Sequence, residues 1–180
     1  DTRQRLALAR QAGYPPFEAL TPEKARVAYA AGWASMQMDG GEVASVKDVR
    51  IDGPGGSLTL RIYRGEGTHA ETQLPCMVFL HGGGWVIGNL ESHDRLCRRL
   101  ANVARLCVIA VDYRLAPEHP FPAAIDDSIC AWRWIHSNAK ELNIDPSAIA
   151  VGGDSAGGNL AAALALMGRD GDVRAPVYQA

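Results

Sequence analysis

A serine ringed by small residues stands at the end of an apolar run. Ala148-Ile149-Ala150-Val151 leads into Gly152-Gly153-Asp154-Ser155-Ala156-Gly157-Gly158, and an Ala/Leu-rich stretch to Leu166 follows at once. The pattern predicts strand, tight turn, helix. Gly153-x-Ser155-x-Gly157 has the G-x-S-x-G spacing of a nucleophile elbow. Small neighbours there let strand and helix approach, and the serine sits in a strained turn with its hydroxyl above the sheet. The chemistry on offer is nucleophilic acyl transfer. An ordinary βα turn with a capping serine has the same local composition, so the motif needs support from elsewhere. Two other glycine-rich readings fail: no Gly-Lys-Ser/Thr makes a P-loop, and Gly152–Gly157 does not fit G-x-G-x-x-G.

Support comes from a second glycine run. His81-Gly82-Gly83-Gly84-Trp85 follows the apolar segment Cys76–Leu80, and successive backbone N–H groups in such a run can turn inward as an anion-binding nest. A flexible turn or a helix start is the plainer alternative. Upstream of an elbow, however, HGGG is the motif that supplies oxyanion-hole donors in lipases and esterases, and the N–H of Ala156 would add another. The segment Asp112-Tyr113-Arg114-Leu115-Ala116-Pro117-Glu118-His119-Pro120-Phe121-Pro122 reads as a rigid loop organising the floor of a site, not as catalytic.

The elements that must position these groups can be read in order. Residues 1–13 predict a short amphipathic helix ending before Tyr14-Pro15-Pro16. A second helix begins with Thr21 as cap, Pro22 at its first position and Glu23 near its positive end, with Val27, Ala30, Ala31, Ala34 and Met38 as an apolar stripe. Both helices either pack on the core or form a lid over a pocket. From residue 43 the period falls to two, and Val43–Ile51 and Leu58–Tyr63 about Gly53-Pro54-Gly55-Gly56 predict an antiparallel hairpin at a sheet edge. Cys76–Leu80 and Cys107–Val111 are continuous apolar runs, as buried parallel strands require. A helix over about 92–104 places Leu96, Leu100 and Val103 on one face; another after Pro122 carries Ile125, Ile129, Trp132 and Ile135, and Asn143-Ile144-Asp145-Pro146 leads into the elbow strand. The order β-β-β-α-β-α-β-α is α/β, with sites expected at the C-terminal ends of the parallel strands.

Composition excludes several classes. The 180 residues are 47% hydrophobic and 21% charged with a net charge of −2, ordinary for one globular domain or part of one, with no basic face for nucleic acid or an anionic membrane. No apolar run is long enough to span a membrane, and Asp1–Arg5 lacks the apolar segment of a signal peptide. Cys76, Cys97, Cys107 and Cys130 have neither metal-site nor disulfide-framework spacing and read as reduced, packed thiols, favouring a cytoplasmic setting.

With HGGGW at 81–85, DYRLAPE at 112–118 and GDSAGG at 153–158, the chain resembles the hormone-sensitive-lipase-like carboxylesterases, bacterial family IV of the α/β-hydrolase fold. The likeness runs over essentially all 180 residues and extends to Gly88–Asp94 and Phe121–Ala124. It implies a mostly parallel sheet with helices on both faces and an antiparallel first hairpin. It also implies cap helices over residues 1–40 and the N-terminal portion of the catalytic domain over 41–180. By that resemblance Ser155 is the nucleophile, and Gly83, Gly84 and Ala156 offer the oxyanion-hole amides. His81 shapes the glycine loop, with Gly82, Trp85, Tyr113, Gly153, Asp154 and Gly157 shaping the site around it. Relatives of this kind hydrolyse carboxylic esters of modest acyl length and need no metal or cofactor.

One departure is serious. In this fold the triad runs Ser, then Asp or Glu, then His, yet no histidine follows Ser155. Asp170 and Asp172 read as a surface loop. Upstream, His93 opens a helix, His119 lies in the proline loop, His69 and His136 read as exposed, and none is expected to serve as the base. Where the resemblance implies a next strand, at Pro176–Ala180, the sequence stops. The expectation is the N-terminal part of a longer enzyme, with triad Asp and His on a C-terminal segment or a second polypeptide. A non-catalytic binding member of the fold, like the plant gibberellin receptors, and an amidase or peptidase are the competing readings; homo-oligomerisation stays open.

Overall fold

The computed structural model describes residues 16–36, 39–68 and 72–180. The helix expected over 1–13 and His69 lie outside them. Strands β1 (Val43–Gly53) and β2 (Gly56–Gly65) form the expected hairpin, turning through Pro54-Gly55 with Gly53 opposite Gly56. β3 (Leu74–Leu80), β4 (Cys107–Val111) and β5 (Ile144–Gly153) complete a five-stranded sheet in the order β1-β2-β4-β3-β5. β2 runs antiparallel to both β1 and β4, while β3 lies parallel between β4 and β5. The described residues form four α-helices: α1 (Pro22–Met36), α2 (Leu90–Ala104), α3 (Ala123–Ser137) and α4 (Ala156–Asp170).

Period-two alternation divides the core between the sheet's faces. Cys107, Ile109 and Val111 of β4 point to the same side as Val78, Leu80, Ile149 and Val151, where they meet Trp132 and Ile135 of α3 and Leu160 and Leu164 of α4. Val108 and Ala110 point to the other side, with Phe79 and Tyr63, and are covered by Leu90, Cys97 and Ala101 of α2. Helices on both faces explain why these strands carry apolar residues at consecutive positions. Trp132 is fully buried, and its indole N–H donates to the Arg174 carbonyl at 2.8 Å.

Four expectations need correction. α2 starts at Leu90, because Asn89 caps it reciprocally: Asn89 Oδ1 accepts from Ser92 N at 2.8 Å and Ser92 Oγ accepts from Asn89 N at 2.9 Å. Its buried stripe is Leu90, His93, Cys97 and Ala101, with Leu96 and Leu100 alongside; Val103 is 77% exposed. Among the described side chains of α1, Ala25 is the buried one, whereas Val27 is 71% exposed and Ala30 and Ala31 face solvent. Arg26 of the same helix makes polar contacts to Val86, Ala116 and Glu118. Ala34 and Met38 fall outside the described side chains. β5 begins at Ile144 and absorbs Pro146 at an irregularity, pairing Ile144 with Leu74 and then Ile149 with Cys76. His136 is not exposed: it packs edge-on against Trp132 at 4.7 Å, and burial pushes its pKa down to about 4.

Beyond α4, Val177–Ala180 runs parallel to β5. Val177 N donates to Ile149 O, Val151 N to Tyr178 O and Ala180 N to Val151 O, each at 3.0 Å, so strand pairing begins where expected. Asp172 is exposed in the loop as expected, whereas Asp170 is the last residue of α4, where it is exposed and pairs with Arg169 at 2.7 Å. The four cysteines are free; burial pushes the Cys76 and Cys97 thiols well up and keeps them protonated. Among the described residues no helix is long and apolar enough to cross a membrane, and no cluster of three or more His, Cys, Asp or Glu could hold a metal ion.

Candidate active site

Because β3, β4 and β5 are parallel, the loops that follow them meet at one end of the sheet. The β5 loop is the elbow. Ser155 has φ 52° and ψ −115°, a positive-φ conformation that side-chain-bearing residues avoid, and it is exposed. Strand and helix meet so closely here that a Cβ on Gly157 would strike the carbonyls of Leu80 and His81. One on Gly153 would strike the Leu80 carbonyl and Gly157 itself. The small residues of G-x-S-x-G are therefore demanded by the end of β3 passing against the turn.

That same strand end continues into the glycine loop. Gly83 and Gly84 take φ 127° and 60°, and Trp85 follows at 60°. The Gly83 carbonyl accepts from Val86 N and Ile87 N at 3.1 and 3.0 Å, and the Trp85 carbonyl accepts from Ala116 N at 2.8 Å. Gly82 N donates to Asp154 Oδ1 at 2.9 Å, so this amide is already engaged. The amides of Gly83, Gly84 and Ala156 make no hydrogen bond among the described residues, and neither does Ser155 Oγ.

The loop after β4 forms the floor. Tyr113 is buried, stacks on His81 with centroids 4.2 Å apart, and donates its hydroxyl to the His81 carbonyl. Burial pushes its phenol up. His81 Nδ1 donates to Gly82 O at 2.8 Å, leaving Nε2 without a partner, and burial lowers the ring's pKa to about 4. A neutral imidazole thus wedges the glycine loop. Next to Tyr113, Arg114 is gripped by buried Asp127, whose carboxylate accepts from Arg114 N, Nε and Nη2 at 2.9 Å each.

Two residues absent from the sequence-derived site join it. His93, buried in the first turn of α2, brings Nε2 to 3.1 Å from Asp154 Oδ1. Burial pushes the Asp154 carboxyl up, but the His93 ring and the Gly82 amide outweigh it and bring its pKa below the ordinary value. Arg26 of α1 donates through Nε to the Val86 carbonyl at 2.8 Å and through Nη2 to the Ala116 carbonyl at 2.9 Å. It also forks onto Glu118 at 2.7 and 2.9 Å. The Asn89-x-x-Ser92 cap was the available signal for His93, since it starts a helix directly behind the glycine loop. Nothing in the sequence pointed to Arg26.

A cavity of about 460 Å³ lies among Arg26, Tyr29, Ser92, Asp112, Tyr113 and Arg114; Ser155 is not on its wall. His119 borders this cavity, and His136 sits against Trp132. No histidine ring is bonded to Ser155 Oγ among the described residues.

Residues 77–180, which carry all three motifs, match the family model described as the alpha/beta hydrolase fold. The chain belongs to the α/β-hydrolase family. Within it, this chain is 48% identical over 126 residues to a carboxylic ester hydrolase, LipN, of Mycobacterium tuberculosis, covering 69% of this chain and 33% of that protein. It is 41% identical over 151 residues to an ethyl acetate hydrolase of Pseudomonas putida, covering 83% of this chain and 48% of that protein. The solved ester hydrolase from the metagenome of Lake Arreo superimposes with a TM-score of 0.91 at 44% identity, over 98% of this chain and 56% of that one. The resemblance to hormone-sensitive-lipase-like carboxylesterases holds, and this α/β-hydrolase chain spans between a third and about half of these relatives.

Proposed function

We propose that the protein is a serine carboxylic ester hydrolase acting on small or medium acyl esters. The observation that carries the reading is an exposed Ser155 in a positive-φ elbow, with amides at Gly83, Gly84 and Ala156 on the adjoining turns that are unbonded among the described residues. Ser155 Oγ attacks the ester carbonyl. The carbonyl oxygen, now an oxyanion, is received by those three amides; the alcohol leaves, and water releases the acyl-enzyme. The histidine that takes the serine proton and its carboxylate partner come from residues beyond these 180. No histidine ring bonded to Ser155 among the described residues and the coverage of 56% of the Lake Arreo enzyme both support this. The α1 segment, tied to the glycine loop through Arg26, serves as part of a cap, within a division of the chain into cap (1–40) and hydrolase (41–180). The free thiols support a reducing, cytoplasmic setting. Small esters such as ethyl acetate are the first substrates to test, given the activity for which the Pseudomonas putida relative is named.

The test is active-site titration of the full-length protein with a fluorophosphonate, read by peptide mass. Adduct on Ser155, p-nitrophenyl acetate turnover, and loss of about 10⁴- to 10⁶-fold in kcat in Ser155→Ala are expected. A folded protein with no adduct at Ser155 refutes it.

A further inference from the structure

Asp154 is an awkward neighbour for a site that must stabilise an oxyanion. Its carboxylate immediately precedes the nucleophile, and negative charge beside a developing negative oxygen opposes the reaction. Asp154 is nevertheless the group that fastens the glycine loop, since its Oδ1 accepts from Gly82 N, one residue before the proposed oxyanion donors. The loop approaches so closely that a Cβ on Gly82 would collide with Asp154 Oδ2. A neutral acceptor would hold the amide less firmly, because a hydrogen bond with one charged member is roughly twice as strong. The arrangement therefore needs the charge for anchoring and needs it offset for catalysis.

His93 sits where that offset has to come from. Its ring is 2% exposed, with Nε2 3.1 Å from Asp154 Oδ1 and Nδ1 2.8 Å from Ser92 Oγ. Ser92 Oγ also lies 2.8 Å from the Asn89 carbonyl and accepts from Asn89 N. The hydroxyl has one proton to give. Given to Nδ1, it leaves the neutral ring's hydrogen on Nε2, the nitrogen nearest Asp154. In that tautomer it is a protonated Nε2, not a bare nitrogen, that lies 3.1 Å from Asp154 Oδ1. The ring is fixed by packing against Phe79 at 5.8 Å and His81 at 5.7 Å, and the α2 cap fixes its backbone.

We infer that His93 is a positioning residue of the acyl-transfer site. Through Asp154 it holds the Gly82 amide, and with it the 83–84 oxyanion donors, in register with Ser155, and it draws carboxylate charge away from the oxyanion. The inference rests on the esterase reading above. His93 touches neither substrate nor Ser155; it acts through Asp154.

The experiment compares His93→Met, His93→Gln and Asp154→Asn in the full-length protein, using p-nitrophenyl acetate kinetics and the rate of fluorophosphonate reaction at Ser155. Met and Gln have similar volumes, and only Gln keeps an N–H donor where Nε2 stood. Expected is a fall in kcat of about 10- to 100-fold for His93→Met, the scale on which displaced catalytic groups lose rate, with KM within about two-fold. Phosphonylation slows in parallel, and His93→Gln recovers to within about three-fold of wild type, because the donor to the carboxylate is restored. Equal losses in Met and Gln, or a loss confined to KM, would reduce His93 to a packing residue. If His93→Met does not fold, Asp154→Asn decides: it keeps an oxygen for Gly82 at a half-exposed position but no charge, so a reduced kcat supports the inference and an unchanged kcat overturns it. Wild-type protein that fails to react at Ser155 overturns the esterase reading and this inference together. Reactive wild type with an indifferent, folded His93→Met overturns only the inference.

Discussion

Ser155 is held at φ 52° and ψ −115°, and that strain is measurable apart from the chemistry. Two variants remove the hydroxyl equally: Ser155→Ala keeps the Cβ that makes this conformation costly, and Ser155→Gly discards it. A side-chain-bearing residue in such a sparsely populated region costs about 1–3 kcal/mol. Glycine returns part of the gain, about 0.5–1 kcal/mol, through the greater freedom of its unfolded chain. The expected net is that Ser155→Gly is more stable than Ser155→Ala by about 0.5–2 kcal/mol. For a domain of 150–250 residues each kcal/mol moves the midpoint by about 2–4 °C, so the two melts should differ by about 1–8 °C. Neither variant should hydrolyse ester above background. Urea and thermal unfolding of both, followed by far-UV circular dichroism, is the assay. Equal midpoints, or a glycine variant that melts first, would mean the elbow stores no strain.

Two further outcomes follow from buried charge. Asp127→Ala leaves the partly exposed Arg114 guanidinium and its backbone N–H without their shared acceptor and should cost about 1–3 kcal/mol, read as a lower unfolding midpoint; an unchanged midpoint would show the pair to be dispensable. His81 has a folded pKa of about 4, set first by burial, against about 6.5 when unfolded. The unfolded chain therefore binds the extra proton between those values. The stabilisation is full above pH 6.5 and is lost as pH falls toward 4, by about 3 kcal/mol. His81→Asn should flatten the pH dependence of urea stability across that window, and identical slopes for variant and wild type would contradict the burial argument.

Much of the architecture was legible because each signal was local. The continuous apolar run Cys107–Val111 is a strand with those bounds because both of its faces are covered. Gly53-Pro54-Gly55-Gly56 turned as predicted, since the hairpin needs nothing beyond its own backbone. Less legible was which side of a helix faces inward. Val103 and Val27 were assigned to buried stripes on hydrophobicity, yet α2 is rotated so that a histidine and a cysteine lie inside, and α1 is attached by a guanidinium. Periodicity reports that a face exists; the partner surface decides which face it is.

The same division runs through the site. Sequence by itself determined the turns built from their own backbone, the Ser155 elbow and the glycine loop, whose geometry follows from small residues at fixed spacing. Only the tertiary structure decided that His93 meets Asp154 across 61 positions of sequence, that Tyr113 closes over His81, and that Arg26 straps α1 to the loops. These pairings depend on three parallel strands delivering their ends to one place. No local pattern encodes that convergence, because it is set by how separate elements pack against a common sheet.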